Sequence, residues 1–144
     1  MSLTPIAPLI LLPSSFLICF VPFILAQMEI RNLEAQAPFT TADGSIIRSI
    51  LDRSNAPVQN QSLAEATLAA GQSTQRHHHK QTEEIYFILD GRGEIEVDGD
   101  RREVGPGDAI LLPPGAPHVI RAQTPLRFLC SCAPPYSHED TYLE

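Results

Sequence analysis

From Ser45 to Cys132, turn-forming residues cut the chain into apolar runs too short to stand as helices, and this punctuation constrains the fold more than any other feature. Asp90-Gly91, Asp98-Gly99, Gly105-Pro106-Gly107-Asp108 and Pro113-Pro114-Gly115-Ala116-Pro117 separate the runs. Glu94 to Val97 and Arg101 to Val104 flank Asp98-Gly99, the strongest short-range hairpin signal a sequence carries. Ser45 to Leu51, Glu84 to Leu89, Ala109 to Leu112, His118 to Arg121 and Leu126 to Cys132 have the β-branched and apolar density of strands. Ser62 to Ala70 is ambiguous, because Ala, Glu and Leu favour helix. Its alternation and its strand neighbours favour a strand. The stretch through Ala37-Pro38-Phe39 reads as irregular and Asp52 to Asn60 as loop. Eight or so short strands without a convincing helix imply an all-β sandwich or a barrel that closes to remove exposed edges.

A chain of 144 residues has room for one hydrophobic core. Its 43% hydrophobic and 19% charged residues fit a globular protein. A formal charge of -7, with no Lys/Arg cluster longer than a pair, argues against nucleic acid as a partner. Three cysteines, Cys19, Cys130 and Cys132, are too few for a disulfide scaffold. Residues 1–27 hold no Asp, Glu, Lys or Arg, and Leu9 to Ala26 is strongly apolar. A secretory signal would place Ala26 at the cleavage site but lacks a basic start. A membrane anchor is weakened by Pro13, Pro22 and two serines. The third reading puts the true start at Met28. Localisation stays open among these: cytoplasmic for a start at Met28, exported or membrane-associated for a signal or anchor.

The chemistry concentrates in four residues. His77 and His79, within Arg76-His77-His78-His79-Lys80, stand two apart, so on a strand both imidazoles share a face while His78 turns away. Glu84 could add an oxygen ligand and His118 a third nitrogen. Three imidazoles and a carboxylate suit Mn, Fe, Co, Ni, Cu or Zn. An octahedral ion so held keeps two positions open for a bidentate substrate or O2. A His-rich run alone is more often a solvated patch, and its context decides.

That context resembles the cupin superfamily. Its first motif spaces Gly, His, His, Glu and Gly as Gly71, His77, His79, Glu84 and Gly91 stand here; its second spaces Gly, Pro, Gly and His as Gly107, Pro113, Gly115 and His118 do. The motifs and the hairpin between them cover 71–122, and the strand pattern extends the match to about 46–132. Ala122 takes the place of the final motif Asn, which is not a metal ligand in the family. The resemblance implies a double-stranded β-helix, a jelly-roll-type barrel over residues 28–144, with one divalent transition metal (Mn, Fe, Ni or Zn) on His77, His79, Glu84 and His118. It also implies a homodimer paired through strand edges.

Glu83 is the rival carboxylate, but should face away from Glu84. Tyr86 shares Glu84's face and is a candidate pocket residue; plain core packing is the competing role. Arg48, a charge inside an apolar strand, is a candidate for binding an anionic substrate, with a solvated face as the alternative. Cys130 and Cys132 fit small core residues better than ligands. The tail from Pro134 to Asp140 could cover the barrel mouth. Two functions of different class remain. One is a metal-dependent enzyme acting on a small oxygenated molecule by dioxygenation, isomerisation, lysis or decarboxylation, with Tyr86 and Glu65 as candidate acid or base. The other is a non-catalytic module that binds a sugar or organic acid.

Overall fold

The structure, a computed structural model, describes residues 28–144. The apolar segment 1–27, with its signal, anchor and start-site readings, lies outside the described residues. Among those, no helix is long and apolar enough to cross a membrane.

Eleven strands follow in order: β1 (Phe39–Thr40), β2 (Ile46–Leu51), β3 (Ser62–Leu68), β4 (His77–His79), β5 (Glu83–Asp90), β6 (Gly93–Val97), β7 (Asp100–Val104), β8 (Ala109–Leu112), β9 (His118–Ala122), β10 (Leu126–Ala133) and β11 (Thr141–Leu143). They form two antiparallel sheets, one ordered β1-β2-β3-β10-β5-β8 and the other β11-β4-β9-β6-β7. The all-β architecture expected from the punctuation is therefore present.

The hairpin at Asp98-Gly99 forms as its residues dictate: both take positive φ, 48° and 85°, the pairing that matches strand twist in a two-residue turn. The ambiguous segment is strand β3. It pairs with β2 on one side and β10 on the other, and those ladders outweigh the weak helix preference of its alanines. The stretch read as irregular near Phe39 is instead a short edge strand, β1, held by Phe39 against Ile47.

Period-two alternation builds the core between the sheets. On β5, Glu84, Tyr86 and Ile88 are buried while Glu83, Ile85 and Phe87 are exposed. Ala66, Leu68, Ile88, Ile120, Leu126 and Phe128 belong to one buried hydrophobic cluster. Gly91 is required at the turn after β5. Its φ is +87°, and a Cβ there would meet the Pro125 carbonyl oxygen at 2.0 Å.

Candidate metal centre

Alternation and register carry four polar side chains into this apolar interior. On β4 the residues one and three face inward, so His77 and His79 are buried and His78 stacks outside on Tyr142. His118 opens β9 directly opposite His77. Glu84 faces them from the other sheet. All four are 5% exposed or less. One ligand atom from each lies within 4.8 Å of the others. An octahedral ion with ligands at about 2.1 Å would separate them by about 3 to 4.2 Å, so modest movement closes the set on a metal.

Each imidazole is oriented by a backbone carbonyl. His77 Nδ1 is 2.8 Å from the Gln75 oxygen, His79 Nδ1 3.1 Å from the Asp140 oxygen and His118 Nδ1 2.9 Å from the Ala116 oxygen. A carbonyl only accepts, so Nδ1 carries the proton and the neutral ring leaves Nε2 as a bare lone pair. His79 Nε2 stands 3.3 Å and His118 Nε2 3.7 Å from Glu84 Oε2. Despite this closeness, Glu84 Oε2 and His118 Nε2 are buried with no hydrogen-bond partner among the described residues. Acceptors converging without a donor are costly unless a cation sits among them. The donor set therefore fits a divalent transition metal.

The electrostatics act in opposite directions on two of the imidazoles. Burial, reinforced by His77, pushes His118 down to about 4, so it stays neutral and ligand-competent. Burial is the largest influence on His79 and lowers it, but the hydrogen bond and charge of Glu84 together with Asp140 outweigh it, and the net direction is upward. Glu84 Oε1 accepts from the Cys132 thiol at 3.5 Å. Burial first and the Glu84 charge second hold Cys130 and Cys132 well above the usual thiol range, so both remain protonated. They line the cavity wall and lie outside the four-residue cluster.

Tyr86 lines the cavity above the site, its ring 6.1 Å from His118 and 4.7 Å from Phe128. Burial, then Glu84, raises its phenol well beyond the ordinary range, so the hydroxyl stays protonated. Arg48 does not reach the cavity. It belongs to the alternate set of β2, on the outer face, 3.7 Å from Glu65, while Ser45, Ile47 and Ser49 line the interior. Glu65 faces the same way and accepts from Arg127 at 2.8 and 2.5 Å, so it cannot serve as acid or base at the site. Glu83 is exposed on the outer face.

The sequence reading missed the C-terminal strap. Thr141–Leu143 forms β11, paired to all three histidines of β4. Asp140 adds its carbonyl to His79 and its carboxylate to the turn after β4. Tyr136 brings its ring within 6.3 Å of His79 and lines the cavity. The tail thus covers the mouth, and His138 bonds the Tyr136 hydroxyl there. The isolated triplet Thr-Tyr-Leu carries no signal that a local reading could use.

Comparison with known proteins places these features in a family. The cupin-domain family matches residues 64–132. An uncharacterized protein of Methanocaldococcus jannaschii is 48% identical over 106 residues, covering 72% of this chain and 85% of that protein. Quercetin 2,3-dioxygenase of Bacillus subtilis is 42% identical over 48 residues, 33% of this chain and 14% of that enzyme. In fold, the structure of KdgF from Halomonas sp. superimposes with a TM-score of 0.66 at 18% identity, covering 74% of this chain and 94% of that one. With the two motifs folded onto facing sheets around one cluster, the chain belongs to the cupin superfamily, and its barrel is the double-stranded β-helix of that family.

Proposed function

We propose that the protein is a metal-dependent enzyme acting on a small oxygenated molecule, with a divalent transition metal held by His77, His79, Glu84 and His118. The observation that carries this is the set of bare imidazole nitrogens and an unpartnered Glu84 oxygen within 4.8 Å, in a barrel interior that otherwise buries apolar groups. When bound, such a metal supplies Lewis acidity toward a carbonyl, carboxylate or enediol, and a redox-active one can also activate O2. The chain's own residues supply the rest. The carbonyls of Gln75, Ala116 and Asp140 fix the ring tautomers, the Cys132 thiol turns Glu84 Oε2 inward, and Tyr86 with Phe128 gives the cavity an aromatic wall. The four-residue set leaves positions for substrate, which favours turnover over storage. The dioxygenase among the relatives supports oxygen chemistry as one option beside isomerisation, lysis and decarboxylation. A homodimer is part of the proposal, supported by the edge strand β8, whose Leu111 is 55% exposed.

Elemental analysis of the full chain purified without added metal tests the site. Near-stoichiometric transition metal should be retained in Glu83→Ala and lost in His118→Ala. No metal in the parent after reconstitution refutes it. A screen of hydroxy acids, diketones and phenols for metal-dependent O2 uptake or product formation then tests turnover, and inertness with tight ligand binding would support the binding module instead. Light scattering of the same preparation reads the oligomeric state.

A further inference from the structure

The cavity above the four ligands has a charge pattern that selects its substrate. Its lining includes three carboxylates, Asp43, Asp52 and Glu84, and among the described residues no lysine or arginine. Arg48 faces the outer side with Glu65. Arg53 reaches only the outer groove, beside Asp52 and Glu139. A divalent ion on the ligands would leave this lining still net negative. The remaining walls mix apolar and aromatic side chains, Phe39, Ile47, Phe128 and Tyr136 among them, with serine and threonine hydroxyls.

Asp43 occupies a built position. Its Oδ1 accepts from the Thr41 hydroxyl at 2.5 Å, the Ser45 hydroxyl at 2.8 Å and the Ser45 amide at 3.0 Å. No hydrogen bond from the described residues reaches Oδ2, so one carboxylate oxygen is fixed and the other is free to accept. The Asp43 carbonyl takes the Gln75 amide at 2.6 Å, and the Gln75 carbonyl takes His77 Nδ1 at 2.8 Å. One residue therefore links Asp43 to a candidate ligand, and the acid is held beside the site by backbone.

We infer that the substrate is a neutral or cationic molecule with an apolar or aromatic body, whose hydroxyl, amide or ammonium donor is accepted by Asp43, and that anions such as dicarboxylates are rejected. This rests on the proposed function of the same cavity and narrows its substrate class. Asp43 is the specificity-determining residue. Like charges about 7 Å apart at an effective dielectric of about 20 disfavour an anion by more than about tenfold, even after part of the effect is lost to screening.

Three probes of nearly one shape separate charge from fit: benzamidinium, benzamide and benzoate. Calorimetric titration into the metal-loaded full chain should give benzamidinium and benzamide affinities at least about tenfold above benzoate. Asp43→Asn keeps an acceptor oxygen for Thr41 and Ser45. It should retain the metal content and melting temperature while shrinking the benzamidinium-to-benzoate ratio at least about fivefold. Benzoate binding as tightly as the other two, no saturation by any probe at millimolar concentration, or an unchanged ratio in Asp43→Asn overturns the inference. The same titrations on metal-stripped protein keep the two questions apart. Failure of the metal reading shows in elemental content, whereas failure of this inference shows in the charge order, which should become steeper without the cation.

Discussion

Asp140 ties the tail to the site, and removing its carboxylate should damage stability and metal binding together. Its two oxygens accept from the amides of Lys80 (3.1 Å), Gln81 (3.2 Å to each oxygen) and Thr82 (2.9 Å), the whole turn between β4 and the candidate ligand Glu84. Lys80 and Gln81 are exposed, so their amides regain water in Asp140→Ala and each costs about 0.5 kcal/mol. Thr82 is 2% exposed, and its amide loses a charged acceptor with no solvent to replace it, about 2 kcal/mol. The sum is a loss of about 3 kcal/mol, read by urea unfolding of the metal-free protein. Asp140→Asn keeps one acceptor oxygen and should lose about half as much. A looser turn frees His79 and Glu84 to drift apart, so chelator competition should show metal affinity falling by about 10 to 100-fold in Asp140→Ala. The pH dependence has a fixed sign. Burial raises the Asp140 carboxyl, but the Thr82, Gln81 and Lys80 donors lower it further, to a net position below its ordinary 3.8. A folded pKa below the unfolded one gives stability that is complete above that value and is lost as pH falls through the folded pKa. The gap between wild type and Asp140→Ala should therefore be flat near neutrality and close in acid below about 3.8. A loss under about 0.5 kcal/mol with unchanged metal affinity would refute the strap as a positioning element.

Three further outcomes follow from particular contacts. Arg127→Ala strands Glu65, 1% exposed, with only Arg48 at 3.7 Å; it should cost about 2 to 3 kcal/mol in thermal or urea unfolding, and adding Glu65→Leu should recover most of that by removing the desolvated charge. Gly91→Ala, with Pro125 oxygen at 2.0 Å, should cost about 3 to 5 kcal/mol, whereas Gly107→Ala, at φ +94° in open space, should cost about 1 kcal/mol; equal losses would show that backbone strain alone governs both. Ala122→Asn should destabilise by about 2 kcal/mol and leave metal content intact, because Ala122 is 4% exposed and its backbone is already paired with Gly71 and Gln72.

What could be read from residues alone divides by the range of the interaction. The Asp98-Gly99 turn and the alternation on β5 are local, and both appeared as expected. The grouping of His77, His79, Glu84 and His118 was legible through fixed motif spacing, because two-residue periodicity fixes which side chains share a face. The face that Arg48 takes was open between substrate contact and outer surface, because alternation gives two faces without saying which is inside. Only the register of β2 against β3, which sets Arg48 opposite Glu65, decides it. The strap was invisible for a similar reason: Thr141, Tyr142 and Leu143 become a strand only by pairing with His79, His78 and His77, over sixty residues earlier in the sequence.

The backbone pairing around Ala122 explains how an alanine can stand at the final motif position. Ala122 offers its backbone carbonyl to Gly71 and takes the Gln72 carbonyl with its amide, so the turn before β4 is bound to β9 without any side chain. The Thr74 amide repeats the contact at Ile120, whose own amide is bonded by the Thr74 hydroxyl at 3.1 Å. The segment leading into β4 is therefore fixed at two points before it reaches His77. A polar side chain at position 122 would have to find a partner within the apolar cluster of Leu68, Ile95 and Leu126, where an alanine needs none. Substitution of the motif residue is compatible with the proposed metal centre because the three candidate imidazole ligands are oriented by backbone carbonyls, which no side-chain change at that position removes.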